Sequence, residues 1–89
     1  MSYTLKFTKV ALKDIESLKK SGNKATLKKL EILLNELTEH PESGTGQPEE
    51  LKHNYSGYWS RRINSKDRLI YKINQEDIEV IIVQAKGHY

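Results

Sequence analysis

The chain has 89 residues, 15 Lys and Arg against 12 Asp and Glu, and a formal net charge of +3. Hydrophobic residues make up 36% and charged residues 30%, as in one small domain spanning 1–89. The absence of cysteine excludes a disulfide scaffold, a thiolate zinc site and a cysteine nucleophile together. No stretch approaches the ~20 apolar residues of a membrane helix, and the first residues lack the apolar run of a secretory signal, so a cytoplasmic protein is expected.

Taken in chain order, Tyr3, Leu5 and Phe7 alternate with Ser2, Thr4 and Lys6, and a period of two predicts a short strand. Thr8 suits a helix N-cap, and Val10, Ala11, Ile15 and Leu18 follow at helical spacing. Ser21-Gly22-Asn23 breaks that helix, with Gly22 at a left-handed position and Asn23 able to cap the next. Leu27, Leu30, Leu33, Leu34 and Leu37 then mark one face of a second helix, which must end near His40 because Pro41 disfavours helical geometry before it. Residues 41–48 form a Gly/Pro loop by composition. Three strands are expected beyond it, at 58–64, 68–74 and 78–84, joined by short polar segments as an antiparallel meander.

Alternation within those strands assigns their faces. Pairing Ile73 with Ile78 sets Tyr71 opposite Val80 and Leu69 opposite Ile82, giving one apolar face for the helices and placing Lys72 opposite Glu79 as an ion pair. A three-residue loop at 65–67 pairs Asn64 with Arg68 and Arg62 with Ile70. Trp59 and Ile63 then face the helices, while Arg62 and Arg68 share the open side. A two- or four-residue loop reverses that parity and turns Arg68 inward, at a high desolvation cost. The expected fold is α+β, a β-α-α-β-β-β chain with a mainly antiparallel four-stranded sheet and a two-helix hairpin on one face.

The charge is concentrated. Between residues 51 and 72 lie Lys52, Arg61, Arg62, Lys66, Arg68 and Lys72 against the single acid Asp67, a local excess of five. Tyr55, Tyr58 and Trp59 are interleaved with it, and rings beside guanidinium groups suit single-stranded RNA. A solvated basic strand face accounts equally well for the pattern.

The run Gly44-Thr45-Gly46-Gln47-Pro48-Glu49-Glu50-Leu51-Lys52-His53-Asn54-Tyr55-Ser56-Gly57-Tyr58-Trp59-Ser60-Arg61-Arg62-Ile63, followed by Arg68-Leu69-Ile70-Tyr71 and a terminal His88-Tyr89, resembles the YoeB/Txe branch of the RelE/ParE toxins of type II toxin–antitoxin pairs. Tyr55 departs from the pattern, where relatives usually carry Leu. The resemblance implies a RelE-like fold and a ribosome-dependent endoribonuclease that cuts mRNA in the 30S A site by attack of the 2′-hydroxyl, without metal or cofactor. It also implies roles: Glu49 as general base, His88 as general acid, Arg68 as the cation on the phosphate and Tyr89 as a shaper of the site. Lys52, Arg62 and Arg61 become supporting RNA or phosphate contacts. Spacing alone leaves Glu50 as an alternative to Glu49. His40, His53 and His88 lack metal-ligand spacing. The implied partners are an antitoxin with an acidic C-terminal segment, the ribosome with its mRNA, a second copy of the chain, and operator DNA only through the antitoxin. The competing reading is a non-catalytic toxin of the gyrase-poisoning ParE kind, or an RNA- or protein-binding module on the same scaffold.

Overall fold

A computed structural model describes residues 2–87. The order is β1 (Thr4–Phe7), α1 (Lys9–Lys20), α2 (Lys24–Leu37), β2 (Glu49–Glu50), a 3-10 turn (His53–Tyr55), β3 (Tyr58–Arg62), β4 (Arg68–Asn74) and β5 (Glu79–Gln84). The strands form a single sheet in the order β1-β5-β4-β3-β2. β1 runs parallel to β5 and the other pairings are antiparallel. The sheet therefore has five strands rather than four. The additional one is β2, at the end of the Gly/Pro loop, where two residues pair Glu49 with Ser60 and Glu50 with Trp59.

Capping explains where the helices begin. The Thr8 hydroxyl accepts the Ala11 N–H at 3.0 Å and donates to the Val83 carbonyl at 2.7 Å, fixing the first turn of α1 to β5. Gly22 reverses the chain at φ +74°, and the Asn23 side chain accepts the Thr26 N–H to start α2. Leu18 of α1 and Leu30, Leu33 and Leu37 of α2 then pack with Leu69, Tyr71, Val80 and Ile82 of the sheet, all buried.

Both hairpins keep the expected faces but not the expected register. Arg62 lies opposite Arg68 and Ser60 opposite Ile70, while Ile73 lies opposite Val80 and Tyr71 opposite Ile82. Each is a slip of two residues, which preserves parity. Its cause is wider loops, each closed by an asparagine side chain. Asn64 Oδ1 accepts the N–H groups of Lys66 and Asp67 at 2.9 and 2.7 Å. In the second turn Asn74 Oδ1 accepts the Asp77 N–H, and Ile78 takes φ +53°. Such side-chain turns need no two-residue loop. The Lys72–Glu79 pair consequently does not form. Lys72 lies opposite Ile81 with its ammonium 5.7 Å from the Tyr58 ring centre, and Glu79 pairs with Lys6 at 3.5 Å.

Arg61 corrects a functional expectation. Instead of facing solvent to hold RNA phosphate, it is 0% exposed and shares the helix-side face with Trp59 and Ile63. Its Nε donates to the Tyr71 hydroxyl at 3.1 Å. One terminal nitrogen donates to Glu36 at 2.7 Å and to the Thr45 carbonyl at 3.3 Å, the other to the carbonyls of His40 and Ser43 at 2.7 Å each. These bonds use all five N–H donors of a guanidinium. The Tyr71 hydroxyl in turn donates to the Pro41 carbonyl at 2.6 Å, and burial pushes its phenol above the ordinary value despite the nearby arginine. On Glu36, burial pushes the carboxyl up, but bonds from the Thr45 hydroxyl and N–H together with Arg61 more than offset it, leaving the group below its usual value.

Two glycines let the loop wrap this cluster. A Cβ on Gly44 (φ +120°) would collide with the Glu36 carboxylate, and one on Gly46 (φ +85°) would sit 2.9 Å from the Arg62 carbonyl oxygen.

Arg61→Met should lower the unfolding free energy at pH 7 by about 3–5 kcal/mol, because it strands a carboxylate and several carbonyls. Arg61→Lys should not restore it, since an ammonium lacks the planar fork. The depressed Glu36 group stabilises the fold fully above its unfolded pKa and loses that effect as pH falls through the folded value. Glu36→Gln should therefore flatten the acid limb of the stability curve, as measured by denaturant titration at pH 7 and pH 3.

Candidate active site

The face of the sheet away from the helices carries the expected charges around an apolar centre. Ser60 and Ile70, opposite one another on β3 and β4, are 1% and 2% exposed, and Leu51 is also buried. This side of the sheet is thus not wholly open, as the alternation alone suggests. Glu49 joins the same cross-strand row through its pairing with Ser60. One row along lie Arg62 and Arg68, directly opposite each other, with Cα atoms about 4.5–5.5 Å apart in any antiparallel pair. Glu49 and Arg62 are diagonal neighbours on adjacent strands, a separation on the order of 7–8 Å that long side chains span. Glu50, one residue on, pairs with Trp59 and belongs to the other face. The pleat therefore separates the two adjacent acids and puts Glu49 with the arginines.

Two like charges facing each other across a ladder oppose folding. Among the described residues neither the Arg62 nor the Arg68 guanidinium has a hydrogen-bond or ion-pair partner. Arg62 is exposed and Arg68 half-buried. Unpaired forks side by side offer several N–H donors to one anion, the geometry that suits the oxygens of a phosphate.

Lys52 is exposed and immediately precedes the 3-10 turn. With Glu49, Glu50, Leu51 and His53 it borders a recess of ≈ 440 Å³ at the sheet edge. His53 itself is exposed, at φ +61°. Tyr58 stands opposite Lys72 on the Arg62 and Arg68 face, whereas Trp59 packs against the core.

His88 and Tyr89 lie outside the described residues. The segment leading to them is tied at every residue beyond β5. Ala85 N–H donates to Asp14 at 3.1 Å, the Lys86 ammonium to the Ser17 hydroxyl at 2.9 Å, and Gly87 N–H to Asp67 at 2.9 Å. The Gly87 carbonyl accepts the Arg68 N–H at 3.3 Å. Gly87 thus lies beside Arg68. Asp67, which sequence reasoning counted only as the one acid in a basic run, is 4% exposed. Its partner is twenty residues distant, so no local signal reveals it. Burial raises its carboxyl, but the Gly87 N–H, the Asn64 amide and the charges of Lys66 and Lys86 hold it below the usual value.

Residues 7–89 match the family described as the YoeB-like toxin of bacterial type II toxin–antitoxin systems. The chain belongs to the YoeB-like toxin family. It is 41% identical to the toxin YoeB of Streptomyces coelicolor, covering 93% of this chain and 95% of that one. It is 44% identical to the toxin YoeB of Synechocystis, covering 76% and 77%. A YoeB/ParE toxin from Agrobacterium tumefaciens superposes with a TM-score of 0.88 at 29% identity, over 97% of this chain and 99% of that one. The YoeB chain in a heterotetrameric YoeB–YefM toxin–antitoxin complex from Staphylococcus aureus superposes with a TM-score of 0.81 at 33% identity over the full length of both, and that organism's YoeB has also been seen as a dimer. Within this YoeB-like chain the motif glycines and Arg61 shape the loop that carries Glu49, and Arg62 and Arg68 are left facing solvent.

Relieving the facing charges should not weaken the fold. Arg62→Gln and Arg68→Gln are expected to melt at or above the wild-type temperature in low salt. Added inorganic phosphate should raise the melting temperature of the wild type more than that of either variant, as read by scanning calorimetry.

Proposed function

We propose that this toxin is a ribosome-dependent mRNA endoribonuclease, cutting in the A site by metal-free acid–base transesterification. The observation that carries the reading is the single face on which Glu49 stands one row from two arginines that have no partner among the described residues, with Gly87 tethered beside Arg68. Attack of a 2′-hydroxyl on the adjacent phosphate needs a base, an acid at the departing 5′-oxygen, and cations where charge accumulates. Glu49 accepts the 2′-OH proton. Arg68 binds the non-bridging oxygens in the phosphorane-like transition state, with Arg62 and Lys52 holding the phosphate and its neighbour. His88 donates to the leaving oxygen and Tyr89 helps shape the site. The 2′-oxygen–phosphorus bond forms as the phosphorus–5′-oxygen bond breaks, leaving a 2′,3′-cyclic phosphate and a 5′-hydroxyl. Arg61 takes no direct part, because its donors are committed to the loop.

The same face explains the other expected partners. The Staphylococcus complex supports an antitoxin as protein partner, and an acidic segment laid across Arg62 and Arg68 would neutralise the facing charges and block the site. Operator DNA is contacted through the antitoxin. The Staphylococcus dimer supports self-association. Substrate held by the ribosome relieves so small a domain of most positioning work, and this activity belongs to the cytoplasm. No described helix is long and apolar enough to cross a membrane.

Ribosomes programmed with a defined mRNA provide the test. Wild type should yield A-site cuts with cyclic or 3′-phosphate ends. Glu49→Gln should lower the rate by roughly 10²–10⁴-fold and Arg68→Ala by roughly 10²–10³-fold, both remaining folded, whereas Glu50→Gln should change little. Intact mRNA with wild type, accompanied by DNA damage in expressing cells, would instead establish the gyrase-poisoning reading.

A further inference from the structure

β5 ends at Gln84, yet the next three residues do not fray. Ala85 and Lys86 are bonded to α1 and Gly87 to the β3–β4 loop, and the last of these bonds has the most consequence. Asp67 Oδ1 accepts the Gly87 N–H at 2.9 Å while its Oδ2 accepts the Asn64 amide at 3.0 Å. The same Asn64 amide reaches Thr26 of α2 at 3.2 Å, and Asn64 Oδ1 accepts the Asp67 N–H. Neither Asn64 nor Asp67 can turn without losing bonds at both ends, so the carboxylate is clamped between a helix and the chain end. It also immediately precedes Arg68, whose own N–H closes on the Gly87 carbonyl. One dipeptide, Asp67-Arg68, therefore carries the phosphate-facing guanidinium on one residue and the tether of the C-terminal segment on the other.

We propose that Asp67 is a positioning residue of the active site: by holding Gly87, its carboxylate sets where the last two residues start relative to Arg68. The proposal rests on the cleavage reading above for its catalytic half. Gly87 is the fitting partner, because at φ +76° it turns the chain through a conformation that other residues adopt only with strain. A tether of this kind acts on the chemical step and leaves binding of the ribosome untouched, since a displacement of about 1 Å in a reacting group can cost roughly 10²-fold in rate.

The test uses the full chain with programmed ribosomes, alongside hydrogen exchange followed by mass spectrometry. Asp67→Ala should cut kcat by roughly 10²-fold with KM for the ribosome complex changed less than about two-fold. The peptide ending at Tyr89 should lose protection while the peptides of β4 and β5 keep theirs. Gly87→Ala approaches the tether from the other side. Apart from its chain neighbours, no described residue has an atom within 4 Å of an added Cβ, so the substitution acts chiefly on the backbone turn, and a fall in kcat without a change in KM is again expected even if Asp67→Ala fails to fold. Combining Gly87→Ala with His88→Ala should cost little more than His88→Ala alone, which a general loss of stability would not produce. Wild-type kcat in both single variants overturns the proposal. So does a fall in kcat with tail protection unchanged. If the wild type leaves mRNA intact, the cleavage reading falls, and exchange decides the tether by itself: retained protection of the terminal peptide in Asp67→Ala overturns it, lost protection upholds it.

Discussion

The structure depends on a buried arginine whose five donors are all spent on the chain around it. Arg61 lies on the helix side of β3 and gathers Glu36 of α2, the Tyr71 hydroxyl of β4 and the carbonyls of His40, Ser43 and Thr45. An isolated buried charge costs several kcal/mol. Here one carboxylate and four neutral oxygens satisfy it, and no buried side-chain polar atom among the described residues is left without a partner. The loop between α2 and β2 has little apolar material of its own, so this polar cluster replaces a hydrophobic anchor. Where the loop ends, β2 begins, and with it the position of Glu49.

Holding Arg61 inward has a geometric consequence for its neighbour. Side chains alternate along a strand, so Arg62 must point to the opposite face, where β4 sets Arg68 directly across from it. The fold thus uses two adjacent arginines for opposite purposes. One is saturated and carries the architecture. The other has no hydrogen-bond or ion-pair partner among the described residues, faces the like charge of Arg68 and offers its donors to an anion. Residues kept in locally unfavourable arrangements while the rest of the molecule holds them there are a recurrent mark of functional sites.

How much of this was legible in the sequence divides along physical lines. Strand parity was legible, because burying Arg68 among Ile63 and the helices would be costly, and the observed faces follow that reasoning. Register was not, because loop length is set by Asn64 and Asn74 bonding to their own turns, a local side-chain choice that hydrophobic pattern does not encode. β2 escaped notice because two residues have no period. Arg61 is the instructive miss. The alternation that puts Trp59 and Ile63 inward puts residue 61 inward as well, yet its charge and the motif's basic character pointed outward. Parity was the stronger signal. Asp67 carried no comparable signal, since its role depends on a contact with the other end of the chain.

The candidate site is assembled from three segments joined to the core by polar latches rather than by packing. The loop bearing Glu49 is held through Glu36 and Arg61, Gly87 through Asp67, and Arg68 lies at the start of β4. Both latch carboxylates are held below their usual values, so the unfolded chain binds more protons than the folded one as pH falls through that range, and acid weakens both latches. The leucine core between the helices and β4 and β5 has no such dependence. Stability is therefore unevenly distributed, with the segments that position charge at the low end and the apolar layer at the high end. For a domain this small, the division lets a chain with a thin core carry a strained face: the arginine repulsion is borne by β3 and β4, whose other faces carry the buried Arg61, Leu69 and Tyr71.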